Sequence, residues 1–142
     1  MLVGRRIAFD YGDVRIGVAI CDREAILASP LTTLQSKDHK LFSLISDLIS
    51  EYEPVAIYVG EPLNLSGDGS SSSDKARSFA QKLQDSFQIP VTMIDERLST
   101  VSATSAMRES GVNAKEARSR IDMAAAVAIL EQAIRLEKAK DA

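Results

Sequence analysis

Apolar and polar positions change their period several times along the chain, and each change marks an element. Gly4 to Asp10 and Arg15 to Cys21 are apolar runs of strand length, and the short link from Tyr11 to Val14 predicts that they pair as an antiparallel hairpin. Ala25 to Leu34 reads as a third strand. Pro30 within it has no backbone N–H to donate, which puts this strand at the sheet edge. The period then turns helical. A helix opens at Lys37-Asp38 with Asp38 as N-cap, carries Leu41, Ile45, Leu48 and Tyr52 on one face, widened by Phe42 and Ile49, and stops at Pro54. Val55 to Val59 is a continuous apolar run, as in a central strand buried on both faces and parallel to its neighbour.

Leu65 to Ser73, rich in glycine and serine, reads as a solvated loop or as a flap beside a site. Asp74 then caps a helix with Ala76, Phe79, Ala80, Leu83 and Phe87 on one face, and Pro90 to Ile94 forms a fifth strand that runs into Asp95-Glu96-Arg97. Ser99 or Thr100 starts a short helix that Gly111 ends. Asn113 and Glu116 have the spacing of a capping box, and the pattern stays helical to about Lys138. Ile121, Ala124, Ala125, Val127, Ala128 and Leu130 are its expected packing stripe. The sum is a mixed α/β sheet of five strands, the first three antiparallel, with helices on its faces, in one domain over residues 1–142.

Composition narrows the class. A hydrophobic fraction of 45% in 142 residues supports a real core, and without tryptophan it must be filled by aliphatic side chains and alanine. No apolar run approaches the roughly 20 residues of a membrane helix, and Met1 to Arg6 show no apolar leader core, so the expectation is a cytoplasmic protein with no membrane partner. Cys21 is the only cysteine, which excludes an internal disulfide and cysteine-cluster zinc; at the end of an apolar strand it reads as a small buried hydrophobe. The net charge of −3 does not by itself point to nucleic acid. Carboxylates gathered at a metal site, however, count as negative only until the cation arrives.

The candidate chemistry is acidic. Parallel strands bring their C-terminal ends to one sheet edge, where open α/β sheets bind ligands. Asp10 ends the first strand, Glu61 follows the fourth, and Asp95-Glu96 ends the fifth. At about 4.8 Å between neighbouring strands, such tips converge closely enough to share cations. Asp122 adds an acid among alanines near the start of the last helix, where it needs a metal or a partner such as Arg120 or Arg97. Oxygen donors without clustered His or Cys favour Mg²⁺ or Mn²⁺. His39, the only histidine, reads as an exposed polar residue. Two such cations can stabilise both the attacking and the leaving oxygens of a phosphodiester, which suggests metal-dependent hydrolysis. Arg15, Arg97, Lys115, Arg118 and Arg120 flank the acids and can hold phosphates on either side of a scissile bond; a solvated helix surface is the plainer reading for Lys115.

Four motifs together resemble the bacterial YqgF/RuvX family: Asp10-Tyr-Gly-x-x-Arg15-Ile-Gly-Val-Ala, Val59-Gly-x-Pro62-Leu63-x-x-x-Gly67, Asp95-Glu-Arg-Leu-Ser-Thr100 and Ile121-Asp122-x-Ala-Ala. They occur in the family's order across nearly the whole chain. The resemblance implies an RNase H-like fold related to Holliday junction resolvases and a cytoplasmic nuclease that processes the 5′ end of pre-16S rRNA. By motif, the family's acidic triad falls on Asp10, Glu96 and Asp122, with Asp95 as the alternative to Glu96. Glu61 stands where the family has an apolar or neutral residue, so it is either an added ligand or an outward-facing rim residue. A resolvase acting on branched DNA is the alternative, followed by a non-catalytic assembly factor; in each case the chain is expected as a monomer or a homodimer. The Asp-x-Gly turn is also similar to the phosphate loop of actin-like ATPases, which need two such domains.

Overall fold

A computed structural model of the chain describes residues 3–62, 71–98 and 115–141. Its elements are β1 (Arg6–Tyr11), β2 (Arg15–Cys21), β3 (Ala28–Gln35), α1 (Leu41–Tyr52), β4 (Ala56–Glu61), α2 (Ser71–Phe87), β5 (Val91–Asp95), a 3₁₀ turn (Glu96–Leu98) and α3 (Lys115–Asp141). The strands form one sheet in the order β3-β2-β1-β4-β5. The first three are antiparallel, while β1, β4 and β5 are parallel neighbours, so their C-terminal ends share one rim as expected.

Strand alternation divides the sheet into two dissimilar faces. Ile7, Phe9, Ile16, Val18, Ile57 and Val59 pack under α1 and α2. Ala8, Ala19, Tyr58 and Ile94 pack under α3, against Ala125, Ala126, Ile129 and Leu130. Small residues on that second face let the long helix lie close to the sheet. β3 is an edge strand, and Pro30 sits beside a register shift in which Val18 pairs with Thr32 but Ala19 with Pro30. Such a bulge relieves the ladder of the hydrogen bond that proline cannot donate.

Several boundaries differ from the sequence reading for local reasons. Asp38 does not cap α1. Its carboxylate accepts the N–H of Lys40 at 2.9 Å in a turn just before the helix, and Lys40 holds the cap position without a side-chain bond. Ser71 to Ser73 belong to α2 rather than to a loop, so Asp74 lies inside the first turn, where its charge still suits the helix dipole. The rest of the glycine-serine stretch, the short helix expected after Ser99 and the capping box at Asn113 lie outside the described residues. In α3, Ala124 is exposed, whereas Ala126 and Ile129 are buried. Four alanines between residues 124 and 128 give no contrast by which to fix the helix phase.

The observed phase puts Asp122, Ala125, Ala126, Ile129, Ala133 and Glu137 along one stripe. Glu137 meets Arg6, a fully buried arginine on β1, through two bonds of 3.1 Å from Nε and a terminal nitrogen. Burial, together with the nearby Glu137 carboxylate, pushes the Tyr58 hydroxyl well above its usual range. Removing the acid from a buried pair strands the opposite charge, so Glu137→Ala is expected to lower stability by about 3 kcal/mol in urea unfolding. Cys21 is buried, accepts the Arg6 backbone N–H at 3.2 Å, and has its thiol pKa raised by burial, which fits the inert hydrophobe expected.

Candidate active site

Asp10 faces α3 at the C-terminal end of β1 and is 8% exposed. Across the sheet it is flanked by glycine on both sides. Gly17 of β2 is its register partner, and one step beyond the Phe9–Val59 pair lies Gly60 of β4. Each glycine makes room for part of another acidic residue, main chain at Gly17 and carboxylate at Gly60. A Cβ on Gly17 would overlap the carbonyl oxygen of Asp122, so α3 presses its Asp122 turn onto the strand beside Asp10. A Cβ on Gly60 would come within 2.7 Å of Glu96 Oε1 and would overlap Ile129. The Glu96 carboxylate therefore lies over Gly60, on the other flank of Asp10. Asp10 and the Glu96 carboxylate thus lie along one glycine-lined row beneath α3, with the Asp122 main chain over its other end and the Asp122 carboxylate on Arg15.

The other two acids lie elsewhere. Glu61 and Asp95 pair directly in the β4–β5 register, one residue out of phase with the row, and so face the α2 side. There Glu61 Oε2 accepts the Ser73 hydroxyl at 2.9 Å and the Arg77 Nε–H. Asp95 is gripped by Arg97, with contacts down to 2.6 Å, and hydrogen bonds from that guanidinium hold its carboxyl below the usual range. Sequence reasoning missed the Ser73 and Arg77 contacts because it took Ser73 for loop.

Asp122 is 4% exposed and accepts a 2.6 Å bond from Arg15 Nε. The cation expected on Asp122 was Arg120 or Arg97; Arg15 takes that place because β2 runs directly beneath the first turns of α3. Arg118 and Arg120 are exposed on α3, and the Lys115 side chain lies outside the described residues. Among the described residues, no three acidic, histidine or cysteine side chains are close enough to enclose a cation directly. His39 is exposed, as expected.

The glycines make a test of this packing. At Gly17 the obstacle is main chain, which cannot swing aside. Gly17→Ala is therefore expected to cost about 2 kcal/mol or more in urea unfolding and to displace Asp122.

A mixed sheet in this order, with one long helix over an acidic row and two helices behind, defines an α/β protein of the RNase H-like class. In keeping with this, RuvC of Thermus thermophilus, solved with a Holliday junction substrate, superposes with a TM-score of 0.63 at 15% identity over 96% of either chain. The RuvX model, described as Holliday junction resolvase, matches residues 4–136, and the chain belongs to this family. Among curated relatives, one from Streptomyces coelicolor is 44% identical over 95% of this chain and 82% of its own length. One from Rhodococcus opacus is 48% identical over 90% and 75%. Both bear the name "Putative pre-16S rRNA nuclease". Family membership places the chain in the nuclease class. Among the described residues, no helix is long and apolar enough to cross a membrane.

Proposed function

We propose that this chain is a metal-dependent nuclease that hydrolyses phosphodiester bonds at the 5′ end of pre-16S rRNA in the cytoplasm, acting through a single domain. The observation that carries the reading is the row in which Glu96 and Asp122 flank Asp10 over two glycines. The relatives' shared name supplies the substrate.

Asp10, Glu96 and Asp122 would hold Mg²⁺ or Mn²⁺, for which an all-carboxylate donor set is suited. Bound there, a divalent cation supplies water activated at neutral pH and neutralises charge that develops on the phosphate. Asp10, fixed on a central strand, sets the centre of the site. Glu96, at the start of the 3₁₀ turn, closes one side. Asp122, which here accepts the Arg15 Nε–H at 2.6 Å, would supply the other side, and Arg15 would be placed to face the substrate phosphate beside the acids. Arg118, one helical turn before Asp122, would extend the phosphate contacts, with Lys115 and Arg120 on the same first turns of α3, whereas Arg97 is held by Asp95.

A second reading, cleavage of branched DNA, is favoured by the description of the matching family model. The test sets a 16S precursor beside a four-way DNA junction, each with Mn²⁺ or with EDTA. Precursor cleavage that needs the metal supports the RNA reading. Cleavage of the junction alone supports the second, and metal-independent cleavage contradicts both.

A further inference from the structure

The residue after Asp10 points the other way. Tyr11 faces the α1/α2 side of the same rim, where a cavity of about 220 Å³ opens between α2 and the β3–α1 connection. Its floor is aromatic. The Tyr11 ring lies 4.8 Å from that of Phe79 at a 35° tilt, and the Phe42 ring lies 6.1 Å from it. Tyr11 and Phe42 are each only half-buried. One wall comes from α2, where Lys75, Ser78 and Lys82 follow at helical spacing and line the opening. His39 stands on the opposite wall.

Two acids temper this charge, and both are engaged. Asp38 is tied to the Lys40 backbone N–H, and Asp13 pairs with Lys75 at 2.9 Å in a solvent-exposed bridge. Such a bridge contributes little and can give way to a phosphate. Ser36 Oγ bonds the Gly12 carbonyl at 2.5 Å, so the turn leaving Asp10 is anchored to the cavity wall.

An aromatic floor beneath a cationic wall is the arrangement that stacks a base while holding its phosphate. We propose that the Tyr11–Lys82 cavity is a subsite for one unpaired nucleotide of the substrate strand, flanking the bond cut at the acidic row. The proposal rests on the nuclease reading for its ligand class: a base with its phosphate in single-stranded nucleic acid. The strand would cross the rim over the β1–β2 turn, with the reacting phosphate on the α3 side and the flanking base in the cavity.

Fluorescence anisotropy in EDTA, where no cleavage occurs, tests this with single-stranded RNA and DNA of one sequence. Lys82→Glu is expected to weaken binding about tenfold and to reduce the salt slope by about 0.7, the share of one phosphate contact on a single strand. Tyr11→Leu, which keeps an apolar side chain but loses the ring face, is expected to weaken binding without changing that slope. Lys140→Glu, on an exposed residue in the last turn of α3, is the charge control. A loss on RNA alone assigns the cavity to RNA, and a loss on both strands assigns it to either nucleic acid. Wild-type protein that binds neither strand, both cavity variants binding as wild type, or Lys82→Glu and Lys140→Glu weakening binding equally overturns it. Cleavage of the precursor by wild type with Mn²⁺ is followed in parallel. Cleavage without any loss of binding in the variants overturns the cavity alone. Loss of binding without cleavage overturns the nuclease reading and leaves the cavity standing.

Discussion

Replacing Asp10 with asparagine is expected to reduce precursor cleavage about a thousandfold, the effect of losing about 4 kcal/mol of metal-borne charge stabilisation in the transition state. The substitution keeps size and shape at a nearly buried position, so the urea midpoint in EDTA should stay close to that of wild type. Adding Mn²⁺ separates the two proteins further. A cation that binds only the folded state stabilises it by about 2.7 kcal/mol at a hundred times its dissociation constant. Wild type should show this shift and Asp10→Asn should lose most of it. Equal cleavage by the two proteins would remove Asp10 from the chemistry. Lost cleavage with an unfolded variant would say only that Asp10 supports the fold, which the urea midpoint detects.

The second large effect is a contrast between adjacent residues. Glu96→Gln should lose cleavage on the same scale as Asp10→Asn, whereas Asp95→Asn should change it no more than about threefold, as expected for a carboxylate outside the metal site. The physical reason is strand alternation. Ile94 packs under α3, Asp95 turns to the α2 side with Met93, and Glu96 returns over Gly60. Glu61→Gln belongs with Asp95→Asn, because its carboxylate is directed to Ser73 and Arg77. Kinetics of the three variants under saturating Mn²⁺ make the comparison. A larger loss in Asp95→Asn than in Glu96→Gln would mean that the 3₁₀ turn rearranges when metal or substrate binds.

The strands and the rim they share were legible in the sequence because apolar runs, short links and Pro30 each constrain topology. The choice among Glu61, Asp95 and Glu96 was not, because it depends on the residue at which β5 ends. An end at Ile94 or at Asp95 gives the same apolar pattern. Alternation assigns faces only once the register against β4 is known, and that register is a long-range property. The bond from Arg15 to Asp122 spans 107 positions and depends on how α3 lies across β2. Gly17 and Gly60 appear in the sequence as parts of motifs, yet their role is to let helix and carboxylate approach Asp10. The phase of α3 was hidden by its alanines, and with it the alignment of Asp122 with Glu137. The cavity beyond Tyr11 draws on β1, the β3–α1 connection and α2, which no sequence period brings together.

The proposed nuclease needs one divalent cation site built on Asp10, Glu96 and Asp122. A crystal soaked in Mn²⁺ and measured at the manganese absorption edge tests it most directly. The expected result is an anomalous peak touching Asp10 and Glu96 over Gly60, with Asp122 turned from Arg15 toward the metal. A peak on the α2 side, between Glu61 and Asp95, would contradict it.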